Sequence, residues 1–125
     1  MTNICICFPV TPVRNTVTHV CEAEVLEITC PTNQVIMVDN AKYGRMELGR
    51  CISKDYGYIG CVVDVTDILI EYCHGQSQCA FNVPHRLLLS VNPCPRDLQS
   101  YLEISYTCQE NTQAPSGEGN VLLRT

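Results

Sequence analysis

A chain of 125 residues and 13.9 kDa has the length of one domain with tails, and 46% hydrophobic residues support a modest core rather than a disordered chain. Eight Lys+Arg against thirteen Asp+Glu leave a formal charge of -5 and a pI near 5.0, with no basic block to neutralise a phosphate backbone, which argues against nucleic acid as a partner. No run reaches the roughly 18 apolar residues of a membrane span, which argues against direct membrane insertion by this segment.

Residues 1–19 show neither helical nor strand periodicity and read as a leader or linker. The apolar stretch Ile4 to Val10 is broken by Pro9 and has no basic residue before it, so it makes a poor signal peptide. The domain is placed at 20–109. Within it, Leu26, Ile28 and Cys30 alternate with Glu27 and Thr29, the period of a strand with one wet face. Pro31-Thr32-Asn33 turns the chain, and Gln34 to Asp39 carries the β-prone cluster Val35-Ile36-Met37-Val38. Proximity predicts a hairpin between these two strands. Val65, Ile68, Leu69 and Tyr72 fall on one helical face, with Asp64 or Thr66 to cap the start and Gly75 after the end, which predicts a helix over 65–74. Ala80 to Val83 reads as a short strand, and His85 to Ser90 as a turn of helix after Pro84. The clearest strand alternates Leu102, Ile104, Tyr106 and Cys108 with Tyr101, Glu103, Ser105 and Thr107. Residues 110–125 are polar and rich in breakers, the composition of a linker or tail. This order of elements predicts an α+β fold, a small antiparallel, sandwich-like β domain with one main helix.

Eight of the ten cysteines, from Cys21 to Cys108, frame fewer than about ninety residues. So short a module buries too little apolar surface to be comfortably stable, and covalent staples in an oxidising compartment are the usual remedy. The expected location is extracellular, in a secreted protein or the ectodomain of a membrane protein, of which this chain is a piece. Zinc needs close ligand pairs, and neither Cys5-Ile6-Cys7 nor Cys73 with Cys79 has a fitting spacing. Disulfides are the better reading, although eight cysteines allow about 105 pairings. Cys73 and Cys79 face each other across a short turn and are expected to pair. Cys5 and Cys7 can pair with each other or between chains, bind metal, or stay reduced in the leader, and the last is preferred. His19, His74 and His85 lack metal-binding spacing, no nucleophile-elbow motif is present, and disulfide cysteines cannot attack, so neither an enzyme nor a cofactor or metal is expected.

Cys21-Glu22, Thr29-Cys30-Pro31, Gln34-Val35-Ile36, Ala41-Lys42-Tyr43-Gly44-Arg45, Asn92-Pro93-Cys94-Pro95 and the run Tyr101 to Cys108 together resemble the galactose/rhamnose-binding lectin domain of the sea urchin egg lectin (SUEL) type. The resemblance covers residues 20 to 109. It implies the bridges Cys21–Cys51, Cys30–Cys108, Cys61–Cys94 and Cys73–Cys79. It also implies a shallow, calcium-independent pocket for vicinal sugar hydroxyls, in which a carboxylate accepts O–H bonds and an amide or ammonium donates. Glu22 and Tyr43 occupy the family's sugar-binding positions. Asn92 replaces the acidic residue of the family's Asp-Pro-Cys-Pro segment. The loop Arg96-Asp97-Leu98-Gln99-Ser100 is one residue longer than the family's, with Ser100 at the lysine and Arg96 at the glycine. A further family asparagine falls at Asn82 or His85.

Each position has a plainer role beside the implied one. Glu22 can be a solvated charge, Tyr43 a packing ring, Gly44 a backbone necessity and Asn92 a turn former. Arg45 is expected to hold a carboxylate within the fold, and Arg96 to pair with Asp97 or meet an acidic partner. The expected partner is a rhamnose- or galactose-like carbohydrate. Two alternatives stand beside it: a degenerate lectin fold that serves an adhesion receptor as a cell-surface protein-recognition or spacer domain, and an accessory domain of a glycosidase.

Overall fold

The computed structural model describes residues 15–110. Their elements, in chain order, are β1 (Thr16–Val20), β2 (Val25–Thr29), β3 (Gln34–Gly44), β4 (Val62–Asp64), α1 (Thr66–Cys73), β5 (Gln78–Asn82), α2 (Arg86–Ser90) and β6 (Tyr101–Glu110). Two antiparallel sheets result, one ordered β1-β6-β3-β4 and the other pairing β2 with β5. The α+β, disulfide-rich class predicted from the sequence is the one observed. Residues 111–125 of the tail and the Cys5-Ile6-Cys7 group lie outside the described residues, while Glu110 ends β6 and the leader reading extended too far. Residues Thr16–Val20 pair along β6, from Thr16 with Tyr106 to Val20 with Leu102, and so belong to the sheet.

The predicted hairpin between β2 and β3 does not form. Glu27 of β2 pairs with Ala80 of β5, whereas Ile36 of β3 pairs with Cys108 of β6. Pro31-Thr32-Asn33 does reverse the chain, with Gln34 N–H donating to the Pro31 carbonyl at 3.0 Å and Asn33 at φ 69°, but it leads from one sheet to the other. The reason lies in what the strands bury. Leu26 and Ile28 of β2 and Ile36 and Val38 of β3 all enter one core, and placing them in two facing layers encloses it. Fully burying each such side chain contributes about 2 kcal/mol.

β3 is longer than its apolar cluster suggested because a bulge redirects it. The pairing slips between Val38 and Asn40, so the buried positions change from Ile36 and Val38 to Ala41 and Tyr43. One extra residue reverses the parity of every side chain beyond it, and this turns Tyr43 inward. The helix α1 falls within the predicted span and packs against β3 and β5, with Leu69 and Cys73 fully buried. Asp64 Oδ1 accepts from Thr66 N–H at 2.8 Å, while Ala41 N–H donates to the Thr66 hydroxyl oxygen at 3.0 Å, so Thr66 anchors the helix to β3 instead of capping it. Gly75 follows at φ 82° and donates its N–H to the Ile36 carbonyl at 2.7 Å. The turn of helix predicted after Pro84 also has its counterpart in α2, which the His85 ring caps by accepting from Leu87 N–H at 3.1 Å.

Four disulfides complete the frame: Cys21–Cys51, Cys30–Cys108, Cys61–Cys94 and Cys73–Cys79, with Cα separations of 5.0, 5.6, 5.5 and 5.2 Å. Among the described residues no cysteine is left free.

Candidate functional site

The register of the larger sheet brings three of the implied site residues to one end. Leu102 of β6 is flanked by Val20 of β1 and Tyr43 of β3. Two residues beyond Val20 stands Glu22, and two before Leu102 stands Ser100. Both therefore project from the end of the sheet at which Tyr43 lies. Tyr43 is 2% exposed and Ser100 3%, whereas Glu22 is exposed. Burial pushes the Tyr43 phenol above its ordinary pKa, the Glu22 charge pushes it further, and the Ser100 hydroxyl opposes both. The Ser100 Oγ is close enough to the phenol to act on it, yet it completes no hydrogen bond of its own and is buried. An exposed carboxylate and a buried hydroxyl both act on the phenol of a largely buried tyrosine. Tyr43 is thus a packing ring as well as a member of the cluster.

The turn that carries Glu22 is fixed from several sides. Its neighbour Cys21 is bridged to Cys51, and Ala23, at φ 74°, donates its N–H to the Val83 carbonyl at 2.8 Å. Glu24 accepts from Cys21 N–H at 2.8 Å and receives both arms of the Arg50 guanidinium, at 2.8 and 3.1 Å. The Arg50 bond, more than the Cys21 bond, holds the Glu24 carboxyl below the usual carboxylate range. Arg50 also donates to the His19 carbonyl at 2.5 Å. Sequence reasoning missed Glu24 and Arg50. The bidentate geometry that marks them appears only when residues 26 positions apart are folded together.

Asn92 has its side-chain oxygen committed to the fold, accepting from Cys94 N–H at 3.0 Å in the turn that leads into the Cys61–Cys94 bridge. That bridge lies against Gly44, where an added Cβ collides with the Cys61 carbonyl oxygen. Asn92 is therefore held near the end of β3, with its amide nitrogen as the group left to offer. Arg96 is exposed, and among the described residues it forms no ion pair with Asp97 or with any other acid. Of the two positions considered for the further family asparagine, Asn82 ends β5 in the open, while His85 has Nδ1 engaged as a cap and stacks on Phe81 at 4.4 Å.

Arg45 corrects another expectation. It is 2% exposed and binds no carboxylate; its Nη atoms donate to the carbonyls of Gln99 at 2.6 Å, Lys54 at 2.6 Å and Asp55 at 3.3 Å. The guanidinium fork sits between two loops and is solvated by their backbones. Among the described residues no three His, Cys, Asp or Glu side chains gather as metal ligands, and no helix is long and apolar enough to cross a membrane.

Two antiparallel sheets around one core, stapled by four disulfides, define a class, that of small disulfide-rich α+β domains. The chain belongs to the D-galactoside/L-rhamnose binding SUEL lectin domain family, whose model matches residues 28–108. The matched span holds Tyr43, Asn92, Arg96 and Ser100, and Glu22 lies just before it. Similar proteins include latrophilin-like protein 1 of Caenorhabditis elegans, 31% identical over 105 residues that make up 80% of this chain and 10% of the relative. Human adhesion G protein-coupled receptor L1 is 32% identical over 91 residues, 70% of this chain and 6% of the receptor. The L-rhamnose-binding lectin SML of Scomberomorus niphonius is 31% identical over 95 residues, 71% of this chain and 44% of the lectin. The chain thus spans a tenth or less of the receptors and under half of the lectin.

Proposed function

We propose that this domain is a non-catalytic, extracellular carbohydrate-binding module for rhamnose- or galactose-like sugars. The observations that carry the reading are the exposed Glu22, whose charge acts on the Tyr43 phenol, and the buried Ser100 hydroxyl that acts on the same phenol. A carboxylate accepts hydrogen bonds from two vicinal hydroxyls, and a fixed phenol and amide orient the ring, so no metal is required in the contact. Family membership and the rhamnose-binding relative support the same reading. Titration with rhamnose and galactose at millimolar concentration, followed by NMR with and without a chelator, should shift resonances around Glu22, Tyr43 and Asn92 equally in both conditions. Glu22→Gln should abolish the shifts. Unmoved spectra at saturating sugar dispose of the proposal.

A second reading, a protein-recognition domain of an adhesion receptor, is favoured by the two receptor relatives and by the near-complete burial of Tyr43 and Ser100. Strong glycan-array binding that depends on Glu22 argues against it.

A further inference from the structure

One residue along the chain from Ser100 and two from Tyr43, a cleft of about 190 Å³ opens between residues 52–56 and 97–99, with Arg45 in its lining. The two sites are contiguous in the chain: Gln99 lines the cleft and Ser100 belongs to the cluster. Both walls hang on Arg45, which lines the cleft and donates to the Lys54 and Asp55 carbonyls on one side and to the Gln99 carbonyl on the other. The first wall is held again within itself. Asp55 Oδ1 accepts from Gly57 N–H at 3.0 Å, Tyr58 N–H donates to the Asp55 carbonyl at 3.1 Å, and Gly60 N–H donates to the Arg45 carbonyl at 2.7 Å. These bonds bracket Tyr56, which takes φ 52°, a conformation that bulky residues rarely adopt, and presents a ring that is 62% exposed. A large aromatic side chain set out in water on a braced loop contributes nothing to the core.

The chemistry of the lining names a ligand class. Ile52 gives a buried apolar floor, and the Tyr56 ring gives a flat wall on which the C–H face of a pyranose can pack. Around them stand an acceptor in Asp97, a donor in Lys54 and an amide in Gln99 that does both. With the Arg45 guanidinium already committed to backbone carbonyls, the side chains left to meet a ligand, Lys54 and Asp97, balance in charge and suit a neutral polyhydroxyl. The Asp97 to Gln99 wall is also the segment in which this chain is longer than the family pattern and departs from it.

We propose that this cleft is a second sugar subsite, contiguous with the first, so that the ligand of the domain is a neutral oligosaccharide of at least two residues; the inference rests on the first site being a sugar site. The test compares rhamnose, galactose and galactose- or rhamnose-terminated disaccharides on the wild-type domain and on Tyr56→Ala and Asp97→Ala, both exposed positions outside the first cluster. At least one disaccharide should bind about tenfold more tightly than its terminal monosaccharide. Each variant should lose that gain while holding the monosaccharide affinity within about twofold. Equal mono- and disaccharide affinities, or variants that keep the gain, overturn the subsite and leave the first site standing. If the monosaccharides themselves fail to bind, the first site falls and the subsite with it.

Discussion

At the scale of single residues, Arg45 and Ser100 mark what a sequence conceals. The Ala-Lys-Tyr-Gly-Arg run identified the family position of Arg45, and chemistry suggested a carboxylate partner. Its real partners are carbonyls 9, 10 and 54 positions away, brought together only because β3 ends between two loops. Ser100 is the complementary case. Its hydroxyl is buried and, although it lies near the Tyr43 phenol, completes no hydrogen bond of standard geometry, and a buried unsatisfied hydroxyl costs about 1–3 kcal/mol. Such a group stays useful if a ligand completes it. Ser100→Ala should therefore leave stability unchanged or raise it by up to about 1 kcal/mol, because it removes a desolvated group without breaking a bond. The same substitution should weaken rhamnose or galactose binding. Denaturant titration and NMR titration read the two effects separately. A substantial loss of stability would show that the hydroxyl has a structural partner and no ligand role.

At the scale of elements, periodicity reveals which face a strand buries but not which strand lies beside it. The alternation of Leu26 and Ile28 with Glu27 and Thr29 is visible in the chain and is present in β2, yet its partner β5 lies about fifty residues on, with Glu27 opposite Ala80. Long-range pairings of this kind leave no local signal. The helix was legible because its face, its start and the glycine after it are all local. β4, at three residues, was too short to show a period, and the bulge at Asp39 hid the continuation of β3. At the junction of β3 and β4 the two backbones approach closely. Gly44, at φ 150°, has no room for a Cβ against the Cys61 carbonyl and the Val62 Cα. Gly44→Ala should destabilise the domain by at least about 2 kcal/mol, combining a positive-φ penalty with displacement of backbone next to the Cys61–Cys94 bridge. Gly57→Ala, where φ is also positive but no atom lies within 4 Å, should cost less. Equal losses at the two sites would mean that conformation, and not contact, sets the requirement.

At the scale of the whole molecule, the four bridges are not equivalent, and the difference follows from topology. Cys30 directly follows β2 of the smaller sheet and Cys108 lies in β6 of the larger one, so this bridge joins the two layers and closes a loop with a sequence separation of 78. Cys73–Cys79 links the end of α1 to the start of β5 over a separation of 6. Spacing alone suggested only this short bridge. The long ones were implied by the family resemblance, since contact across a whole fold cannot be read from intervals. Constraint of the unfolded chain grows with loop length, to about 4.5 kcal/mol for the long loop and about 2.4 kcal/mol for the short one. Replacing Cys30 and Cys108 together by Ala should therefore lower stability by roughly 2 kcal/mol more than replacing Cys73 and Cys79 together. Reversible denaturant titration of the two double variants measures the difference. Larger damage from the short bridge would place the main stabilisation in native contacts around α1, where Cys73 is fully buried, rather than in the chain entropy of the stapled frame.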